Sequence, residues 1–357
     1  MRLLHVVGAR PNFPKLAPVH RAGRAAGVEQ LVVHTGQHYA DSLSDAFFRD
    51  LGIPWPDFNL SVGSDTHAVQ TARIMERIEP LLRKEKPDWV VVYGDVNSTM
   101  AAAIVASKLG IRVAHVEAGL RSFDRTMPEE INRIVTDRLA NLLLTPSRDA
   151  DQQLLAEGEP AEEIEFVGNV MIDSLFFALP AARQKAFRQR IGVNGSAVIV
   201  TLHRPSNVDD PQRMGSIARA LSAIALEHEV VFPVHPRTKQ RLMDAGLAID
   251  RVRTLEPVGY LEMVDLMEHA FAVVTDSGGL QEETTALGVP CLTLRPNTER
   301  PITITEGTNR LVPEPENLLK ELQRVNKPAN PPRPEGWDGH AGERVINALL
   351  SHTGSSR

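Results

Sequence analysis

Val274-Thr275-Asp276-Ser277-Gly278-Gly279-Leu280-Gln281-Glu282-Glu283-Thr284 passes from a β-branched apolar run through a serine and two glycines into polar, helix-forming residues. A buried strand that turns on glycine directly into a helix is the repeating joint of a parallel α/β sheet. Bare amides at such a helix start can bind phosphate, and an acidic residue one turn further in can accept both hydroxyls of a ribose. Ser277, Gly278, Gly279 and Glu283 are therefore candidate nucleotide contacts.

The same grammar extends in both directions. In the second half Ala197–Thr201, Val230–Val234, Val252–Leu255, Ala272–Thr275 and Cys291–Leu294 read as strands, apolar on both faces and separated by helical segments. In the first half Leu3–Val7, Leu31–Thr35, Trp89–Tyr93, Val113–Val116 and Leu142–Leu144 do the same, with His67–Glu85, Asn97–Leu109 and Glu129–Ala140 as crossover helices. The expected fold is α/β: two Rossmann-like, doubly wound parallel-sheet domains, residues 1–170 and 171–340, facing across a deep cleft. The boundary is expected near residues 168–175, with the basic stretch Ala181–Asn194 as a linker region before the second sheet. Asn326–Gly339, dense in proline, asparagine and glycine, reads as an exposed connection. Residues 341–357 recover a helical stripe through Val345, Ile346, Leu349 and Leu350, expected to cross back to the first domain before a frayed end.

The length of 357 residues, 42% apolar and 24% charged, fits two soluble globular domains. A net charge of -6 offers no general attraction for nucleic acid or anionic lipid. Cys291 is the only cysteine, which excludes an intramolecular disulfide and a cysteine-rich metal site. Met1–Val7 enters an apolar strand without a signal-peptide core, and no run reaches the roughly 18 apolar residues of a membrane span. The expectation is a soluble, cytoplasmic protein.

Polar residues gather at the predicted strand ends. Gly8-Ala9-Arg10-Pro11-Asn12-Phe13-Pro14-Lys15 follows the first strand, and its glycine, helix start and cations Arg10 and Lys15 suit a diphosphate. A lone glycine there is neither the dinucleotide fingerprint nor a Walker loop, so NAD and ATP are discounted. Asp95, in Gly94-Asp95-Val96-Asn97, has two readings: cleft-edge carboxylate, or N-cap of the next helix. Glu117, in His115-Val116-Glu117-Ala118-Gly119-Leu120-Arg121, leaves an apolar strand directly and must be paired or functional. Glu129, in Pro128-Glu129-Glu130-Ile131-Asn132-Arg133, opens a helix, where dipole complementarity would also explain it. Carboxylates from three successive strand ends converge on one sheet edge, an arrangement for proton transfer. His203-Arg204-Pro205-Ser206-Asn207 and Val234-His235-Pro236-Arg237 carry histidines at strand exits of the second half, open to a structural or a functional reading.

Together these segments resemble the bacterial-type non-hydrolysing UDP-N-acetylglucosamine 2-epimerases. The resemblance rests on Gly8-Ala9-Arg10-Pro11 with Lys15, Gln37-His38, Gly94-Asp95, His115 through Arg121, Pro128-Glu129-Glu130 with Asn132-Arg133, and Gly168-Asn169. It continues through His203-Arg204, Pro233-Val234-His235, Asp276 through Gly279 with Glu282-Glu283, and Thr298-Glu299-Arg300-Pro301. It implies a GT-B architecture, usually homodimeric, needing no metal and no nicotinamide or other cofactor. It also implies that Arg10, His203, Ser277, Gly278 and Glu283 contact UDP. Asp95, Glu117 and Glu129 would then serve the sugar chemistry with Arg133 assisting. A second UDP-N-acetylglucosamine molecule would activate the enzyme at a site including Gln37, Arg73 and His235.

The chemistry implied is coherent. The proton on sugar carbon 2 is not beside a carbonyl, so departure of UDP from carbon 1 must first make carbon 2 electron-poor. Elimination gives a 2-acetamidoglycal; protonation from the other face and return of UDP invert carbon 2. Many relatives carry Arg-Pro-Glu and His-Arg-Arg-Glu-Asn where this chain has Arg10-Pro11-Asn12 and His203-Arg204-Pro205-Ser206-Asn207. Those departures keep a 2,3-diacetamido uronic acid nucleotide open as substrate. The other readings carried forward are a hydrolysing epimerase, a retaining glycosyltransferase and a UDP-sugar sensor.

Overall fold

Strands form where consecutive residues are apolar on both faces, because both faces are covered: all five residues of Trp89–Tyr93 are buried. The computed structural model describes residues 1–36, 48–193 and 195–353, and of Arg10 the backbone alone. The chain divides into two compact units, Met1–Phe177 with Glu335–Arg357, and Ala178–Pro334.

The first unit is built on a seven-stranded sheet: β1 Arg2–Val7, β2 Glu29–His34, β3 Phe58–Asn59, β4 Trp89–Tyr93, β5 Arg112–Val116, β6 Leu142–Thr145 and β7 Ile164–Phe166. Its order is β3-β2-β1-β4-β5-β6-β7, with every pair parallel. Leu4, Val6, Val33, Val90, Val92, Val113 and Leu143 form one side of its core with Ala102, Ala103 and Ala106 of the helix Asn97–Lys108. Small residues on that helix let it lie close to the sheet.

The second unit carries six strands, β8 Val198–Thr201, β9 Val230–Pro233, β10 Arg253–Leu255, β11 Ala272–Thr275, β12 Cys291–Thr293 and β13 Asn309–Leu311, ordered β10-β9-β8-β11-β12-β13 and again parallel throughout. Val198, Val200, Val230, Phe232, Val274 and Leu292 centre its core. Both sheets thus run outward from their first strand and reverse direction beside it. The reversal falls between β1 and β4 in one sheet and between β8 and β11 in the other, and ligands of such sheets bind outside the strand carboxyl ends at that switch point.

Three strands were not expected from the sequence: β3, β7 and β13 are two or three residues long, and all lie at sheet edges. The proline-rich stretch joins no sheet and is largely exposed, but Pro334 and Trp337 are buried, the indole donating to the Pro146 carbonyl at 3.2 Å. One aromatic anchor therefore ties down part of the segment read as an exposed connection. Beyond it the helix Ala341–Thr353 lies against Phe13–Ala25 within the first unit, close enough that a Cβ on Gly342 would stand 2.6 Å from the Pro18 carbonyl.

Candidate active site

In the first unit the turn after β1 is held by Asn12. Its carbonyl oxygen accepts from the Gly8 and Ala9 amides, both at 3.1 Å, and its amide donates to the Tyr93 carbonyl at 2.9 Å. The residue standing where many relatives have glutamate therefore ties the end of β1 to the end of β4, using a donor that a glutamate lacks.

Lys15 enters from the helix Phe13–Ala25 and meets Glu117 at 2.6 Å, both side chains almost wholly buried. A buried carboxylate requires such a partner. Glu117 sits at φ 76°, left-handed backbone that costs a non-glycine residue of order 1–3 kcal/mol and persists only where surroundings impose it. Gly94, at φ 61°, packs against the lysine: a Cβ there would stand 2.5 Å from Lys15 Nζ. Only glycine fits that approach.

Asp95 does not cap the helix behind it; Val96 holds the cap position, and the Asp95 carboxylate bonds Arg133 instead. Arg133 also forks onto Glu130, with Nη2 at 2.6 Å and Nε at 3.0 Å. Glu130 in turn accepts from the Ser122 amide at 2.9 Å and the Phe123 amide at 2.8 Å. Burial opposes its charge, but the Ser122 amide, Arg133 and the Phe123 amide hold the carboxyl below its ordinary range. Its neighbour Glu129 is exposed at the first turn of the helix Pro128–Leu139. The structure thus pairs Lys15 with Glu117 and Asp95 with Arg133, while Glu129 stands at the surface.

Behind them is a network that sequence reading did not single out. Asp137 accepts from His115 Nδ1 at 2.5 Å, Arg121 at 2.7 Å and the Gly119 amide at 3.2 Å, and His115 Nε2 lies 2.8 Å from the Gly94 carbonyl. Burial would raise the Asp137 carboxyl, yet His115 and Arg121 hold it below its ordinary range. This network joins the turns that carry Asp95 and Glu117.

In the second unit His203 follows β8 and pairs through Nδ1 with Asp276, at the end of β11, at 2.8 Å. Ser277 precedes the ten-residue helix Gly278–Leu287 without capping it through its side chain. At Gly278 a Cβ would meet Arg300 at 2.5 Å and Glu299 at 2.7 Å, so the missing side chain makes room for a buried Arg-Glu cluster packed against the helix start. Glu299 bonds Arg300 at 2.5 Å and Arg295 at 2.7 Å. Gly279 continues that first turn, half-buried. Glu283, one turn in, is buried and accepts from the Tyr260 hydroxyl at 2.7 Å. Burial pushes its carboxyl up to about 7, against the opposing pull of the Tyr260 bond. Asn207 occupies its place despite the preceding Pro205-Ser206, donating at 3.0 Å to both Asp276 and the Leu294 carbonyl.

Arg73 and His235, two of the expected activator residues, lie in different units. Arg73 pairs with Asp65 at 2.9 Å, and His235 is the exposed N-cap of Pro236–Asp244, accepting from the Arg237 amide at 3.3 Å. Gln37 lies outside the described residues.

Two Rossmann-ordered parallel sheets, each with its polar residues at the switch point, define an α/β nucleotide-sugar enzyme of the GT-B class. The sequence profile of the UDP-N-acetylglucosamine 2-epimerase family matches residues 20–350, and the chain belongs to that family, as an isomerase. It is 42% identical to the UDP-N-acetylglucosamine 2-epimerase of Methanocaldococcus jannaschii, over 98% of this chain and 99% of that protein. It is 44% identical to the UDP-2,3-diacetamido-2,3-dideoxy-D-glucuronate 2-epimerase of Pseudomonas aeruginosa, over 91% and 92% respectively. A solved structure of the M. jannaschii UDP-GlcNAc 2-epimerase in complex with UDP-GlcNAc and UDP superposes with a TM-score of 0.91 at 41% identity, covering 98% of this chain and 100% of that one. No helix among the described residues is long and apolar enough to cross a membrane.

Proposed function

We propose that this protein is a non-hydrolysing UDP-N-acetylglucosamine 2-epimerase, interconverting UDP-N-acetylglucosamine and UDP-N-acetylmannosamine by elimination and re-addition of UDP. The observation that carries the reading is the position of the candidate residues: Asp95 and the Gly8 turn at one switch point, His203 and Ser277 at the other. In this reading the helix start at Ser277–Gly279 and His203 contact the diphosphate, and Glu283 accepts the ribose hydroxyls; Arg10 is a further expected UDP contact. As the carbon 1–oxygen bond breaks, its electron pair goes to UDP. The carbon 2–hydrogen pair becomes the glycal double bond, and a carboxylate among Asp95, Glu117 and Glu129 takes the proton. Another returns a proton on the opposite face, and UDP adds back. Arg133 holds Asp95 in place for this exchange, and Lys15 holds Glu117.

On the same reading the enzyme works in the cytoplasm as a homodimer, without a cofactor, supplying precursors of surface polysaccharide, with UDP-N-acetylglucosamine as activator. The identity to the diacetamido-glucuronate enzyme, together with Pro205-Ser206, supports a second reading in which the sugar is a 2,3-diacetamido uronic acid.

Incubation with each UDP-sugar in deuterated water, followed by proton NMR, tests both. Deuterium at carbon 2 and appearance of the UDP-linked epimer are expected, with no free sugar accumulating. Asp95→Asn and Glu117→Gln should each lower exchange by about 10²- to 10⁴-fold, the usual worth of a positioned acid or base. UDP affinity should stay at the wild-type value, and its collapse in both variants would contradict the assigned roles. Release of free N-acetylmannosamine would replace the non-hydrolysing reading by the hydrolysing one.

A further inference from the structure

Asp276 is wholly buried at the end of β11, and the roles above leave it unused. Its carboxylate collects the segment leaving β8. The His203 amide donates to both oxygens at 3.1 Å, while the Arg204 amide and the Asn207 side-chain amide each donate to Oδ2 at 3.0 Å. Its remaining neighbour is His203 Nδ1, 2.8 Å from Oδ1. Burial opposes the charge, but the His203 and Asn207 bonds and the Arg204 amide hold the carboxyl below its ordinary range.

An ionised carboxylate only accepts hydrogen bonds, so the nitrogen facing it must carry the proton. That fixes the tautomer of His203 with Nδ1–H inward and Nε2 on the opposite side of the ring. The His203 side chain is 52% exposed while Asp276 is 0%, so one member of the pair is anchored and the other presented. A ring held this way meets a ligand through Nε2 alone, and the buried negative charge stabilises the imidazolium that exists when Nε2 is also protonated.

We propose that Asp276 is a positioning residue acting through His203, holding Nε2 toward the diphosphate of the nucleotide sugar and supporting the imidazolium that faces it. The inference rests on the reading that this unit holds UDP. When the carbon 1–oxygen bond breaks, its electron pair passes to the diphosphate oxygen, and the Nε2–H hydrogen bond strengthens onto that oxygen as its charge grows. The proton stays on or shared with Nε2 and is fully recovered when UDP adds back, so His203 neither gains nor loses a proton over the cycle.

The test is the nitrogen-15 spectrum of the imidazole rings in the full chain saturated with UDP, with His203 assigned through His203→Gln, alongside kinetics of carbon 2 epimerisation. In the wild type, Nδ1 of His203 should be protonated. Asp276→Asn turns an amide donor toward the ring or forfeits the bond, and should shift His203 to the Nε2–H tautomer. The expected loss in kcat is roughly 10²- to 10⁴-fold, with the upper end matching an aspartate-to-asparagine change behind a catalytic imidazole elsewhere. KM for the intact UDP-sugar should hold, because the bridging oxygen gains its charge only as the bond to carbon 1 breaks. A purely structural role would change UDP affinity or unfolding midpoint without moving the tautomer.

An unprotonated Nδ1 in the wild type would overturn the proposal, as would a flipped tautomer with unchanged kcat. Should Asp276→Asn not fold, the wild-type spectrum and His203→Gln decide: a protonated Nδ1 with a comparable kcat loss supports the role, and undiminished kcat in His203→Gln refutes it. A wild-type chain that binds UDP with His203 as described but turns over no UDP-sugar would sink the functional reading while supporting the positioning geometry.

Discussion

Glu283 shows how one residue couples burial to nucleotide binding. Its folded-state carboxyl titrates near 7 because burial penalises the charge, whereas its ordinary value is 4.5. Between those values the folded chain binds more protons at this site than the unfolded chain, so stability falls as pH rises from 4.5 to 7. The integrated cost is on the order of 3 kcal/mol for a shift of this size. Urea denaturation from pH 4.5 to 8 should show wild type losing stability relative to Glu283→Gln across that interval, and parallel curves would refute the account. If Glu283 also accepts the ribose hydroxyls, UDP favours its charged form, so UDP affinity should rise with pH through 7 in the wild type and not in the variant. The sequence makes Glu283 visible through its spacing from Ser277-Gly278. It hides Tyr260, because a hydroxyl 23 residues away is brought close only by packing of one helix on another.

At the scale of elements, the helix Pro128–Leu139 distributes its acidic residues by face. Glu130, Arg133 and Asp137 recur at helical spacing and are buried; Glu130 and Asp137 accept from backbone amides of the turn after β5, and Arg133 binds Glu130 and Asp95. Glu129 precedes Glu130 by one position, about 100° round the helix, and is exposed. Adjacent glutamates should therefore fail in opposite ways. Glu130→Ala removes one carboxylate partner of Arg133 and strands the Ser122 and Phe123 amides, a loss of about 3 kcal/mol, typical of breaking a buried pair. Glu129→Ala should stay within about 0.5 kcal/mol, as surface changes do, yet remove carbon 2 exchange if it serves the sugar. Chemical denaturation read beside deuterium exchange separates the two, and equal destabilisation would break the assignment by face. The same physics explains which elements the sequence reveals. Interior strands such as Trp89–Tyr93 must be apolar on both faces and announce themselves. The edge strands Phe58–Asn59, Ile164–Phe166 and Asn309–Leu311 are too short for a pattern, and the last two place a polar or charged residue between their ends.

At the scale of the whole chain, the first unit is assembled from both ends of the sequence, Met1–Phe177 and Glu335–Arg357, so its folding waits on the last residues. The helix Ala341–Thr353 buries Val345, Ile346 and Leu349, each worth about 1.5–3 kcal/mol when fully buried. Its contacts reach several elements: the Gly342 amide donates to Asp173 at 2.8 Å, the Trp89 indole to Thr353 at 3.0 Å, and Arg112 to the His352 carbonyl at 2.7 Å. Nothing in residues 1–177 alone indicates that the strands carrying Trp89 and Arg112 depend on a partner 240 or more positions away. A chain ending at residue 340 loses all of these contacts and exposes the apolar surface of Phe13–Ala25 that the helix covered. Since a domain's net stability is only about 5–15 kcal/mol, a loss of this size should unfold the first unit or leave it marginal. The second unit, Ala178–Pro334, retains its own six-stranded sheet and core in that truncation. Hydrogen exchange of the truncated chain should therefore show lost protection in β1, β4 and β5 with β8 and β11 still protected. Uniform loss across both sheets would mean that the units fold as one cooperative block, and unchanged protection in β1 would mean that the C-terminal helix is dispensable.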